Sequence, residues 1–252
     1  MNYIIAIDGP AGAGKSTIAK ALAQKLGFFY LDTGALYRTL AYQALQKGLD
    51  LENEKALVEM ARETKIDLQD KVDGLHVFMD DQEITDQIRF PEVTRNTFYI
   101  ARSPEVRQAI LPLQRKFAER ASLVAEGRDT TTVVFPDATL KVYLDANLET
   151  RAKRRGKDLT KVGVEQSITK IAEEVAERDN HDRSRSVAPL HQAEDAFYLD
   201  TTNLSITEVV ERLASLFHAS VSAFVREAGG SPSSAVQPCC KDPGELPEQN
   251  TG

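Results

Sequence analysis

The sequence predicts a doubly wound α/β fold, and three observations carry the prediction. Five short apolar runs, Ile4–Ile7, Phe28–Leu31, Leu123–Ala125, Leu140–Leu144 and Ala196–Leu199, have the length and unbroken hydrophobicity of strands buried in a parallel sheet. Each stops at polar or glycine-rich residues: Asp8-Gly9, Asp32-Thr33-Gly34, Glu126-Gly127-Arg128-Asp129, Asp145 and Asp200-Thr201-Thr202. Helical segments separate the runs, so strand and helix alternate. Ligands of open α/β sheets sit beyond the carboxyl ends of the strands, which makes these five ends the first candidates for a site.

The first run leads into the most specific stretch of the chain. Gly9-Pro10-Ala11-Gly12-Ala13-Gly14-Lys15-Ser16-Thr17 has the spacing G-x-x-x-x-G-K-[ST] between a strand and the helical segment Thr17–Leu26. Glycines at these positions let the backbone turn tightly with its N–H groups inward, where they cradle phosphate oxygens. The helix N-terminus adds partial positive charge behind them. Lys15 can reach the β- and γ-phosphates and the Ser16 hydroxyl can ligate Mg²⁺. Residues 9–17 are therefore expected to bind a nucleoside triphosphate, on a P-loop core with a five-stranded parallel sheet.

The remaining elements follow in order. Leu36–Lys47 carries Leu36, Leu40 and Ala44 at intervals of four and is predicted to stop at Gly48. Between about 64 and 90, the alternating runs Lys65–Gln69, Leu75–Met79 and Glu83–Thr85 are parted by Asp73-Gly74 and Asp80-Asp81, which predicts a small antiparallel β insertion. The stretch 149–175 is rich in Arg and Lys and lacks strands; it reads as a helical hairpin hinged near Arg155-Gly156-Lys157. Ser205-Ile206-Thr207-Glu208 fits a capping box opening a helix to about Ala223. From Arg226 to Gly252 the chain is dominated by Pro, Gly and Ser, and a disordered tail is expected.

Composition sets the outer limits. The chain has 252 residues, 42% hydrophobic and 27% charged, enough apolar material for a sizeable core. Its net charge of −7 argues against a nucleic-acid partner. Phosphates must then meet local clusters of cations. No run approaches the roughly 18 apolar residues of a membrane span. There is no signal-type start, and the only cysteines, Cys239 and Cys240, are adjacent, a poor geometry for a structural disulfide. A cytoplasmic protein is expected, and nothing demands more than a monomer.

The acceptor side must decide what the loop serves. A base-reading N-K-x-D segment is absent, which argues against a switch GTPase. The strand Leu123–Ala125 ends in Glu126-Gly127-Arg128-Asp129, where the pair Arg128 and Asp129 could hold an anionic, hydrogen-bonding acceptor or form an internal salt bridge. Six cations against two acids crowd residues 149–161. Arg151 and Arg155, four apart, share a helix face and could neutralise the transferring phosphoryl group; a solvated basic face is the alternative. Arg178, Asp182 and Arg185 fall on one face if helical, suited to a phosphate and a sugar hydroxyl, or to a structural ion-pair ladder.

Together these residues identify a resemblance. The chain resembles the bacterial cytidylate kinase family, which phosphorylates CMP and dCMP with ATP. The signatures are Ile-Asp-Gly-Pro-Ala-Gly-Ala-Gly-Lys-Ser at 7–16, Leu-Asp-Thr-Gly-Ala-Leu-Tyr-Arg at 31–38, Glu-Gly-Arg-Asp and Thr-Val-Val-Phe-Pro-Asp-Ala within 126–138, the Arg and Asp pattern of 177–190, and Leu-Asp-Thr-Thr at 199–202.

The resemblance implies a nucleoside monophosphate kinase domain over 1–225. Its core would be 1–38, 101–148 and 176–225, its monophosphate-binding insertion 39–100 and its mobile lid 149–175. It also implies that Thr33, Tyr37, Arg38, Arg107, Arg128, Asp129, Arg178, Asp182 and Arg185 line the acceptor pocket. Arg38 and Arg128 would grip the phosphate, Asp182 would accept from sugar hydroxyls, and Arg107 and Asp129 would read the cytosine edge. From the residues themselves, apart from the resemblance, Lys15, Arg151 and Arg155 are expected to be the catalytic cations, Ser16 the Mg²⁺ anchor, and Asp32, at a strand end, to orient metal-bound water. Two positions depart from the family pattern: Phe98 replaces a small hydroxyl residue near the base, and Thr131 replaces a glycine. A kinase of the same fold with another acceptor, or a nucleotide-binding module without turnover, are the alternatives.

Overall fold

The computed structural model describes residues 2–161 and 163–227. Strands β1 (Ile4–Asp8), β2 (Phe29–Asp32), β6 (Leu123–Glu126), β7 (Leu140–Asp145) and β8 (Phe197–Asp200) form one parallel sheet in the order β2-β6-β1-β7-β8. Burial on both faces accounts for the unbroken apolar runs of β1 and β6, where Ile5, Ala6, Ile7, Leu123, Val124 and Ala125 are fully buried; β8, expected to be buried, lies at the sheet edge and exposes Phe197 and Tyr198. Every strand runs one residue beyond its apolar run, onto Asp8, Asp32, Glu126, Asp145 or Asp200. The register carries the ladder through these acids, pairing Asp8 with Tyr143, Asp32 with Glu126 and Asp145 with Asp200. Ladder bonds use only the backbone, so the carboxylates are left to serve the sheet's C-terminal edge.

Helix α1 (Lys15–Leu26) leaves the glycine-rich loop directly, and α2 (Thr33–Gln46) starts the moment β2 ends. Asp32 is both the last residue of β2 and the cap of α2, its side chain accepting from the Ala35 N–H at 3.0 Å. The main core joins the sheet to α1, α2 and the C-terminal helix α8 (Ile206–Glu227); Phe217 of α8 meets Tyr3 and Phe28 edge-on at 5.5 and 5.4 Å. The capping box at the start of α8 is formed in both directions: the Ser205 N–H donates to Glu208 at 2.8 Å and the Glu208 N–H to Ser205 Oγ at 3.2 Å. The helix continues past the expected end at Ala223. Cys239 and Cys240 lie outside the described residues.

The insertion between α2 and β6 contains α3 (Glu54–Glu63), a three-stranded antiparallel sheet of β3 (Ile66–Lys71), β4 (Gly74–Met79) and β5 (Gln82–Glu83), then α4 (Pro91–Arg102) and α5 (Pro104–Arg120). Asp80 and Asp81 both take positive φ, 48° and 67°, between paired Met79 and Gln82, the two-residue turn that matches strand twist. The short third strand leaves Thr85 outside the sheet, where its hydroxyl accepts from the Val77 N–H at 3.0 Å.

The hinge expected near Arg155-Gly156-Lys157 is not there. Helix α6 (Leu148–Lys161) runs straight through it, and the reversal into α7 (Ile168–Ser184) comes at Gly163, whose φ is +76°. Gly156 serves packing instead: a Cβ there would sit 3.3 Å from Ile171 Cδ1 on α7. The hairpin has its own small core of Ala152, Leu159, Ile171 and Val175, which closes over Ala11 of the glycine-rich loop. Because α7 extends unbroken to Ser184, the lid boundary expected at 175 falls inside a helix. Gly156→Val should force α6 from α7 and lower stability by about 1–3 kcal/mol, measured by urea unfolding.

Candidate active site

The glycine-rich loop is held from outside as well as by its own turns. Gly9 has φ +151°, and a Cβ on it would lie 2.0 Å from the Leu144 carbonyl oxygen, so only glycine lets the loop leave β1 against β7. At its apex, Ala11 is held at both ends: its N–H donates to Asp179 Oδ1 at 2.8 Å, and its carbonyl accepts from Arg151 Nη1 at 2.9 Å. Arg151 also pairs with Asp179 and donates from Nε to the Ala146 carbonyl at 2.9 Å. Arg154 adds bonds to the Ala13 carbonyl at 3.0 Å and to Thr201 Oγ1 at 3.0 Å.

Arg151 is thus buried against the loop, bonded to Ala11, Ala146 and Asp179. Sharing a face four residues apart does not give Arg151 and Arg155 the same employment. Arg155 is half-buried and joins none of the hydrogen bonds or ion pairs among the described residues.

Lys15 and Ser16 mark the loop's inner end. The Lys15 ammonium is buried and donates to the Pro10 carbonyl at 2.8 Å. Burial pulls its pKa down to about 7; the charges of Arg128 and Arg178 push the same way, and Glu126 opposes them. Ser16 Oγ donates to Glu126 Oε1 at 2.6 Å, and the Tyr30 hydroxyl reaches the same oxygen at 3.4 Å. Burial raises the Glu126 pKa, and Asp32 adds to the rise. Glu126 ends the strand beside β1 and so faces the loop across one strand spacing, a role that sequence reasoning missed. Its position as the last ladder residue of β6 was the available signal. Asp32 is committed elsewhere, capping α2 and pairing with Arg38 at 2.6 Å.

The acceptor residues converge on the same edge from four elements. Thr33 Oγ1 donates to the Glu126 carbonyl at 2.8 Å. Asp182 of α7 accepts from Arg128 Nε at 2.7 Å and from Arg185 Nη2 at 2.7 Å. Burial pushes its carboxyl up, but the charges of Arg128, Arg185 and Arg178 outweigh it and hold the pKa below the usual range. The flanking pair is therefore Arg128 and Arg185. Arg178 forms none of the ion pairs among the described residues, and burial next to Arg128, Arg38 and Arg155 brings its pKa down to about 10. Lys15, Arg38, Arg128, Arg155 and Arg178 form a cationic cluster at the foot of the loop, an arrangement that calls for an anion.

Beside this cluster lies a cavity of about 220 Å³ lined by Tyr37, Arg107, Gln114, Asp129, Val133 and Ala188, among others. Arg107 and Asp129, both buried, are ion-paired in its wall, although 22 positions apart in sequence. The Arg107 guanidinium lies 5.1 Å from the Tyr37 ring and donates to the Ala101 carbonyl at 3.1 Å. A carboxylate acceptor and a guanidinium donor side by side form a polar edge in a cavity whose wall mixes apolar residues (Tyr37, Leu111, Val133, Val187) with Glu105, Gln108 and Gln114, and whose volume can take a planar base.

The two departures find physical explanations. Phe98 of α4 lies outside the cavity wall and packs against His181 of α7, ring centroids 4.8 Å apart, joining the insertion to the C-terminal half of α7. Thr131 does not have positive φ, and its hydroxyl donates to Asp8 at 2.6 Å. A glycine is not required there.

With loop, cation cluster and slot in place, comparison with known proteins is direct. The family model described as cytidylate kinase matches residues 5–219. The cytidylate kinase of Desulfitobacterium hafniense (strain Y51) is 49% identical over 217 residues, covering 86% of this chain and 93% of that protein. That of Exiguobacterium sibiricum is 50% identical over 212 residues, covering 84% and 95%. That of Oceanobacillus iheyensis is 44% identical over 209 residues, covering 83% and 91%. On this match the chain belongs to the cytidylate kinase family.

Proposed function

We propose that the chain transfers the γ-phosphoryl group of ATP to CMP or dCMP, forming CDP or dCDP. The observation that carries this reading is the buried Arg107–Asp129 pair in the wall of this cavity, next to a cationic cluster at the foot of the phosphate loop. A carboxylate accepts from the exocyclic amine of cytosine and repels the carbonyl that uracil presents at the same place. The guanidinium donates to the ring's acceptor edge.

The acceptor phosphate is taken by Arg38, Arg128 and Arg178, and the sugar by Asp182, with Arg185 holding that carboxylate. Loop N–H groups and Lys15 hold the donor phosphates. The attacking phosphate oxygen is anionic near neutral pH, so no strong base is needed; catalysis is positioning plus electrostatics. Arg155 is the lid cation nearest this task. Arg151 acts through Ala11 as a positioning residue.

Ser16 with Glu126 supplies hard oxygens beside the loop, and no cluster of three or more metal-ligating side chains is present among the described residues. That fits Mg²⁺, which is held by one or two protein oxygens together with substrate phosphates. When bound, it neutralises charge on the β- and γ-phosphates. No described helix is long and apolar enough to cross a membrane.

Lys15 gives a pH prediction. With its pKa lowered to about 7, most of the population is neutral at pH 8. Bound triphosphate favours the charged form and raises that pKa, so ATP binding at pH 8 should take up a fraction of a proton, and the uptake should vanish below pH 6. Calorimetry in buffers of different ionisation enthalpy reads this directly. The function itself is tested by following ADP formation from Mg·ATP with CMP, with dCMP and without acceptor. Acceptor-dependent ADP matched by CDP supports the reading; nucleotide binding without turnover overturns it.

A further inference from the structure

Asp8 is a fully buried acid that the mechanism above leaves without a task. It ends β1, one residue before Gly9, and its carboxylate receives four hydrogen bonds. Oδ1 accepts from the Thr130 N–H at 2.9 Å and the Thr130 hydroxyl at 2.6 Å; Oδ2 accepts from the Thr131 N–H at 2.7 Å and the Thr131 hydroxyl at 2.6 Å. Both threonines are buried, so water cannot replace a missing donor. Burial raises the acid's pKa and the charge of Asp129 adds to the rise, while both threonine hydroxyls and the Thr131 N–H pull it part of the way back.

The clamped segment is an unusual one. Thr130–Val134 is a single π-helical turn, closed by the Val134 N–H to the Asp129 carbonyl at 3.1 Å and the Phe135 N–H to the Thr130 carbonyl at 2.8 Å. Such turns are rare and weakly stabilised from within, and their first N–H groups have no internal partner. Asp8 supplies those partners. Asp129, which faces Arg107 in the cavity wall, is the residue immediately before the turn.

We propose that Asp8 and Thr131 are positioning residues for acceptor selection: the carboxylate of Asp8 clamps the turn after Asp129 and so fixes the base-reading carboxylate from the strand that carries the phosphate loop. This rests on the reading of Asp129 given above. Donor binding is supported independently: Gly9 is set by Leu144, Ala11 by Asp179 and Arg151, and Ser16 by Glu126. Loosening the clamp therefore acts on the acceptor side.

The test uses Thr131→Val, which keeps the shape and removes one hydroxyl donor, and Thr131→Ser, which restores it. KM for CMP, KM for ATP and the CMP-over-UMP ratio of kcat/KM are measured for both variants and for the unsubstituted chain. For Thr131→Val, KM for CMP should rise about tenfold and the ratio fall about tenfold, with KM for ATP within about twofold, a split expected when one buried hydrogen bond to a charged group is lost. Thr131→Ser should recover both. Asp8→Asn, which turns an amide NH2 against two of the four donors, should show the same split enlarged.

A lower melting temperature with the ratio and both KM values unchanged would show the clamp to be structural only and overturn the proposal. So would a parallel rise of both KM values with the ratio intact. An unsubstituted chain that does not separate CMP from UMP would instead overturn the reading of Asp129, which keeps the two failures distinct.

Discussion

Asp129→Ala should lower kcat/KM for CMP by about ten- to a hundredfold and bring CMP and UMP close to parity. A hydrogen bond from the cytosine amine to a carboxylate contributes about 1.5–3 kcal/mol, and each 1.36 kcal/mol is a factor of ten. The substitution also leaves the buried Arg107 guanidinium with the Ala101 carbonyl and the Tyr37 ring face as its direct partners among the described residues, and the charge of Asp182 farther off. Breaking a buried ion pair from one side costs about 3–5 kcal/mol, so the variant should melt early as well. Asp129→Asn separates the two effects. It keeps the volume, and its amide can turn either edge towards the base, so selectivity should narrow with a smaller loss of stability. Steady-state kinetics with both nucleotides, beside a thermal melt of each variant, read the two consequences independently.

Lys15→Met should behave in the opposite way. Loss of a charged donor aimed at the transferring phosphoryl group should cut kcat by about a thousandfold. Stability should hold or rise. The ammonium is buried, and the charges of Arg128 and Arg178 act against it, which is why its pKa falls to about 7. A folded state carrying a depressed Lys pKa is penalised at pH values below the unfolded-state pKa, near 10.4, and most below the folded one. Methionine removes that penalty and keeps most of the apolar stem. A variant that is more stable and nearly inactive marks a residue retained for chemistry at the expense of the fold. Urea unfolding at pH 6 and turnover with saturating CMP measure both sides.

Much of the fold was legible in the sequence because burial dictates local pattern. A strand covered on both faces has to be apolar throughout, which made β1 and β6 legible; β8 was legible from its apolar residues although Phe197 and Tyr198 are exposed at the sheet edge, and the loop after β1 carries a spacing that few other contexts tolerate. The antiparallel insertion was legible for a different reason, since Asp80-Asp81 must adopt positive φ and few residue pairs do so.

What escaped was whatever depends on tertiary approach. Gly156 looked like a hinge because glycine weakens helices, but the close passage of Ile171 explains it without any break. Arg151 and Arg155 share a face by spacing, yet only packing shows that Arg151 is bonded to Ala11 and Asp179. Glu126 and Asp8 look in sequence like mere strand ends; their roles come from Ser16 on one side and Thr130 and Thr131 on the other, more than a hundred positions away. The meeting of Arg107 with Asp129 was expected from the family resemblance and not from spacing.

The central claim is that a buried carboxylate beside a guanidinium selects the cytosine edge. The most direct measurement is the ratio of kcat/KM for CMP over UMP in the unsubstituted chain, with AMP and GMP as size controls. A ratio of about ten to a hundred is expected, because UMP sets a carbonyl against Asp129 where CMP offers an amine, with lower turnover for the purines. Equal turnover of CMP and UMP would contradict it and would mean that the Arg107–Asp129 pair holds the fold without reading the base.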